Sequence, residues 1–241
     1  MSESLKPYEQ IGVAMTCRSF EEYRRMFALE LELLQAGPVL DVASGASSFV
    51  AEACSLGCDA RAADPMYALG PVSIEEHGHK EIAVSTSKLE ALREQYDWSY
   101  YGSLEQHRLG REASLNRFIT HYRASQGTGI YTRALLPELP YPDAAFSLVL
   151  VSHFLFLYDG QFDRTFHLNA VRELLRVCSK EGEVRIYPLS SLRSERYPHL
   201  DELLAELAEE GVQASILESD LPFIPGSKNV LRLTYRSARS S

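Results

Sequence analysis

From Val39 onward the chain alternates short apolar runs with helix-forming stretches, and glycines stand where one hands over to the other. Strands are expected at Val39–Ala43, Cys58–Ala63, Ile130–Arg133, Phe146–Ser152, Glu183–Pro188, Val212–Leu217 and Val230–Tyr235. Helices are expected at Ser48–Leu56, Gln161–Cys178 and Leu200–Glu210, with Gly57, Gly182 and Gly211 at the hand-overs. Strands that alternate with helices along a chain build an α/β, doubly wound and mostly parallel sheet, here of seven strands. Ahead of the first strand, Glu21 to Gln35 reads as one amphipathic helix with Tyr23, Phe27, Leu31 and Leu34 on one face, stopped by Gly37-Pro38. The 241 residues bury a full core as a single domain, 1–241, with an N-terminal helical segment, 1–37, and a helical insertion, 75–129, between the second and third strands.

Two strand ends carry acids. The first strand, Val39-Leu40-Asp41-Val42, runs into the small-residue turn Ala43-Ser44-Gly45-Ala46-Ser47-Ser48, and the second ends in Asp64-Pro65. A chain that bends sharply and lets a ligand reach its backbone needs small residues there, and Gly45 takes positive φ without a Cβ penalty. Ser47 or Ser48 caps the following helix. Asp64 sits where an open sheet binds ligands, and one carboxylate accepts hydrogen bonds from both hydroxyls of a ribose. The pair suggests a nucleoside pocket.

These residues resemble motif I and the motif II acid of class I S-adenosylmethionine-dependent methyltransferases. The family's D-x-G-x-G appears as Asp41-Val42-Ala43-Ser44-Gly45, with Ala43 where the first glycine is common. The segment Leu139-Pro140-Tyr141-Pro142-Asp143, leading into Phe146–Ser152 and His153, is similar to motif IV. The resemblance implies a Rossmann-like methyltransferase fold whose last strand is antiparallel, with S-adenosylmethionine as cofactor. It implies a cofactor site at Asp41, Ala43, Ser44, Gly45, Ser47, Asp64, Pro65, Leu135, Leu136 and Ser152. A dinucleotide fingerprint fits poorly, because Ala43 and Ser48 occupy its outer glycine positions. A nicotinamide-dependent oxidoreductase is therefore disfavoured, whereas a binding protein that holds the nucleoside without turnover would carry the same cofactor residues.

Methyl transfer from a sulfonium to an acceptor runs mainly on alignment of donor and acceptor. Where a proton must leave the acceptor, a base adds typically 10²–10⁴-fold, and His153, at the end of a central strand, is the candidate. The other reading of His153 is a packing residue.

The insertion is too long for a plain connection. Tyr101, Leu104, Arg108, Arg111, Leu115, Phe118 and Tyr122 follow helical spacing, with arginines at the centre of the stripe. As a lid, this helix would bring Arg108 or Arg111 to an acidic group on the substrate or to the cofactor's carboxylate. The alternative is surface pairing with Glu105 or Glu112. An aromatic knot of Tyr96, Trp98, Tyr100 and Tyr101 reads either as a wall of the site or as a satellite core. Tyr8, Arg18 and Phe20 are placed over the cofactor by analogy with the N-terminal helices of relatives.

The formal charge of −9 and the lack of a basic run argue against a nucleic-acid partner, so the expected acceptor is a small molecule. The arginines of the tail, Arg232, Arg236 and Arg239, fall in and after an alternating strand pattern. Cys17, Cys54, Cys58 and Cys178 lack the spacing of a zinc site or an iron–sulfur cluster, so no metal is expected. Neither a signal-like apolar stretch nor a run long enough to span a bilayer is present, which reads as a cytoplasmic protein.

Overall fold

The computed structural model describes residues 8–10, 12–221 and 223–236. Residues 1–7 of the N-terminal segment, together with Ile11, and Arg239 of the tail lie outside them. Strands β1 (Val39–Val42), β2 (Ala60–Ala63), β3 (Tyr131–Thr132), β4 (Phe146–Ser152), β5 (Cys178–Tyr187), β6 (Val212–Glu218) and β7 (Asn229–Tyr235) form one seven-stranded sheet. Their order is β3-β2-β1-β4-β5-β7-β6. β7 runs antiparallel to both β5 and β6, and the remaining pairs are parallel. This is the doubly wound, mostly parallel seven-stranded sheet expected from the sequence. The order reverses between β1 and β4, which opens a crevice at their carboxyl ends.

Both faces of the sheet are covered. Leu40, Val42, Val149, Val151, Val184 and Ile186 point to one side and pack with α6 (Arg164–Val177) and α7 (Leu200–Glu209). Val39, Leu148 and Leu150 point to the other and meet α1 (Phe20–Met26), α3 (Phe49–Ser55) and α5 (Leu104–Ala124). Burial on both faces is why these strands read as continuous apolar runs.

Three expectations are corrected. The single helix over Glu21–Gln35 is two helices, α1 and α2 (Leu31–Gln35), because Ala28 takes φ 52°. The carbonyls of Phe27 and Ala28 leave the helical ladder to accept from Arg185 Nη1 at 2.6 and 2.9 Å. Leu31 consequently turns outward, 40% exposed, while Tyr23, Phe27 and Leu34 stay buried. Gly182 lies inside β5 rather than at a helix end. A Cβ there would stand 2.5 Å from the Ser147 carbonyl, at the point where the β4–β5 register shifts, so the residue serves a close backbone approach. The insertion begins earlier than expected, with α4 (Pro71–Ala91) followed by α5.

Candidate functional site

The turn after β1 is held from both sides. Gly45, at φ 58°, donates its N–H to Asp64 Oδ2 at 2.9 Å, and Met66 N–H donates to Oδ1 at 2.9 Å. Asp64 is 9% exposed, and burial raises its carboxyl pKa. Two backbone bonds leave part of its acceptor capacity free toward the crevice. Tyr67 Oη donates to the Gly45 carbonyl at 2.8 Å, which braces the turn from β2's side. Ala43 also sits in the left-handed region, φ 55°, a backbone conformation that favours glycine.

Asp41, Ser44 and Ser47 lie beneath this surface, all fully buried. Ser44 Oγ donates to Asp41 Oδ2 at 2.6 Å and Tyr23 Oη to Oδ1 at 3.3 Å. Burial pushes the Asp41 carboxyl up to about 7. Ser47 Oγ donates to the Arg18 carbonyl and accepts from Phe49 N–H, capping α3 locally.

A cavity of about 420 Å³ opens over the crevice. Ala43, Gly45, Asp64, Pro65, Leu135, Leu136, Ser152 and His153 all line it, so most of the residues singled out from the sequence converge on one space. Asp41, Ser44 and Ser47 do not line it. Leu135 is 63% exposed at its rim, and Leu136 is buried.

An N-terminal strap crosses the turn. Ala46 N–H donates to the Thr16 carbonyl at 3.1 Å, and Ser48 N–H to the Arg18 carbonyl at 2.9 Å. On the strap's other side lies a smaller cavity of about 120 Å³. Ala14, Met15, Thr16 and His153 line both spaces, so the strap and His153 form the partition between them.

His153 takes φ 51° and donates its N–H to the Tyr187 carbonyl at 2.7 Å. Its Nδ1 lies 2.9 Å from Ser152 Oγ, while Nε2 has no hydrogen-bond partner among the described residues. Burial, then the cations of Arg18 and Arg111, drive its pKa well below the usual histidine value, so the ring is neutral.

The insertion walls the smaller cavity. Arg111 lines it, 7% exposed, with Nη1 2.6 Å from Glu22 Oε1 and 3.1 Å from the Cys17 carbonyl. Arg108 faces outward, lines neither cavity, and is taken up by Glu105 and Glu112. The aromatic knot gathers around Phe223, which contacts Tyr96, Trp98, Tyr101 and His107; Tyr96 and Phe223 reach the cavity wall. Tyr8 and Arg18 line the smaller cavity, whereas Phe20 stacks on Phe49.

Glu22, Glu81 and His107 escaped the sequence reading. The capping box Ser19-Phe20-Glu21-Glu22 was a usable signal for Glu22, since the glutamate of such a box turns back toward the chain that precedes the helix. Nothing local marks Glu81 or His107, which reach the wall only through the packing of α4 on α5. Among the described residues no cluster of metal-ligating side chains occurs, the four cysteines are free, and no helix is long and apolar enough to cross a membrane.

No family model matches the chain. The uncharacterized protein MJ0045 of Methanocaldococcus jannaschii is 35% identical over 215 residues, 89% of this chain and 92% of that protein. Among solved structures, the TehB-like SAM-dependent methyltransferase of Corynebacterium glutamicum is similar at 12% identity and TM-score 0.46, covering 86% of each chain. A SAM-dependent methyltransferase of Aquifex aeolicus is similar at 13% identity and TM-score 0.41, over 88% of this chain and 90% of that one. The glycopeptide N-methyltransferase MtfA is similar at 11% identity and TM-score 0.48, over 94% of each chain. The fold itself rests on the strand order given above.

Proposed function

We propose that the chain, which belongs to one family with that Methanocaldococcus protein, is an S-adenosylmethionine-dependent methyltransferase acting on a small molecule. The observation that carries the proposal is the paired cavity: a space over Gly45 and Asp64, separated from a smaller one by the strap and His153. The fit to the cofactor is chemical. Asp64 keeps acceptor capacity for the ribose hydroxyls, and Gly45 lines the cavity where its missing Cβ lets the strap's Thr16 backbone pass close over the turn. Leu135 and Leu136 offer an apolar bed for the adenine, and Pro65 shapes the wall beside the sugar.

When bound, S-adenosylmethionine supplies an electrophilic methyl group. The chain's own contribution is to orient an acceptor in the smaller cavity, keep water out with the α4–α5 cover acting as a lid, and receive a proton. His153 lines both spaces and its Nε2 has no hydrogen-bond partner among the described residues, so it is the group we assign to take that proton. Ser152, on Nδ1, fixes the ring's orientation. Asp41, Ser44 and Ser47 support the turn from below rather than touching the cofactor, and Arg108 has no part in the site.

Calorimetry with S-adenosylhomocysteine, S-adenosylmethionine and NAD tests the proposal. Binding of the first two but not the third is expected, and NAD binding alone overturns it. Transfer of labelled methyl to an acceptor panel then separates an enzyme from a mere binder.

A further inference from the structure

The smaller cavity is lined by a buried cation whose hydrogen-bonding capacity the protein does not fill. Arg18 is 7% exposed and lines it, yet Nε has no partner. Its nearest acid is Glu22, whose Oε1 lies 3.5 Å from Nη1. Glu22 is already saturated: Arg111 stands 2.6 Å away, Tyr101 Oη donates at 2.5 Å, and Ser19 N–H donates at 2.8 Å. One carboxylate thus serves two buried guanidinium groups, and Arg18 has the weaker share. A buried cation in that state needs a counter-ion.

His107 adds a second donor. Its Nε2 is 3.1 Å from Arg111 Nη2, and an arginine can only donate, so Nε2 accepts. Burial, then Arg111 and Arg18, push its pKa down to about 2, so the ring is neutral and its proton sits on Nδ1. That N–H is buried and unpartnered, and His107 lines the cavity.

Opposite polarity comes from Glu81 of α4. It is half-buried, lines the same cavity, and makes no hydrogen bond or ion pair among the described residues. The rest of the wall is largely aromatic, with Tyr8, Tyr96, Tyr158 and Phe223.

We propose that the acceptor is a small amphoteric molecule of the amino-acid class, its carboxylate received by Arg18 and the Nδ1–H of His107 and its protonated amine by Glu81. This rests on reading the smaller cavity as the acceptor site. A carboxylate has the acceptor capacity for both orphaned donors, and an ammonium gives Glu81 the partner it lacks. Neither a plain acid nor a plain amine satisfies all of these groups.

The test titrates the full chain calorimetrically with each standard amino acid, its decarboxylated amine and its deaminated acid, for leucine isoamylamine and isocaproate. Each is run with and without S-adenosylhomocysteine. At least one amino acid is expected to bind tenfold or more tighter than both of its truncated partners. Arg18→Gln should bring that amino acid down to the level of its amine, and Glu81→Gln down to the level of its acid. Equal binding of a truncated partner, or no binding by any amino acid, overturns the proposal. The wild-type comparison decides even where Arg18→Gln does not fold. Amino-acid binding without S-adenosylhomocysteine binding would instead sink the methyltransferase reading and leave this site standing.

Discussion

The Arg111 guanidinium of α5 lies 2.6 Å from the Glu22 carboxylate of α1, a buried ion pair that ties the insertion to the N-terminal helix across 89 residues of sequence. Both side chains are nearly inaccessible, 8% and 5% exposed, so the pair is a structural clamp between α1 and α5 beside the smaller cavity. Removing one partner leaves the other charged and buried. Arg111→Leu should therefore cost about 3–5 kcal/mol, read as a fall in the denaturation midpoint. A loss near zero would show that the clamp does not hold the insertion down.

Two buried acids should oppose each other in a stability–pH profile. Burial acts against ionisation of Glu22, but the cations of Arg111 and Arg18 outweigh it and hold the carboxyl down to about 2. Its stabilising contribution is present above the ordinary carboxylate range and is lost as pH falls toward 2. Asp41 is raised to about 7 by burial, so its contribution is full below the ordinary carboxylate range and fades as pH rises through 7. Asp41→Asn should flatten the decline between about pH 4 and 7, a span worth up to about 4 kcal/mol. A decline unchanged in the variant would remove Asp41 as its source.

Ala43 and Gly45 both occupy left-handed backbone, at φ 55° and 58°, which makes them opposite tests of one geometry. Ala43→Gly should stabilise by about 1 kcal/mol as the Cβ strain is relieved. Gly45→Ala should destabilise by about 1–2 kcal/mol, since its Cβ would also stand 3.0 Å from the Thr16 carbonyl. Thermal melts of both variants provide the check, and equal signs would contradict the turn described here.

Asp64→Asn keeps an oxygen for one backbone N–H but loses the charge. It should weaken S-adenosylhomocysteine binding at least tenfold, consistent with the roughly 1.5–3 kcal/mol of a hydrogen bond to a charged group. Unaltered affinity would detach Asp64 from the sugar.

His153→Gln should lower methyl transfer by about 10²–10⁴-fold while S-adenosylhomocysteine affinity holds. Because the ring is already neutral well above its depressed pKa, no histidine titration step is expected in the wild-type rate between pH 6 and 8. A rate that survives the substitution would return His153 to a packing role.

Periodicity and small-residue turns by themselves determined the alternating α/β order, the turn from Asp41 to Gly45 and the place of Asp64 and His153, because strand and turn preferences act over a few neighbouring residues. The two-helix break at Ala28 was invisible locally, since it depends on Arg185, far along the chain, taking the carbonyls of Phe27 and Ala28. Tertiary structure alone also chose between Arg108 and Arg111. Both fit the same helical stripe, but only the position at which α1 presents Glu22 turned one inward. The partition of the site into two spaces belongs to the same class: it exists because residues 14–18 cross a turn more than 25 positions later, a contact that no local pattern encodes.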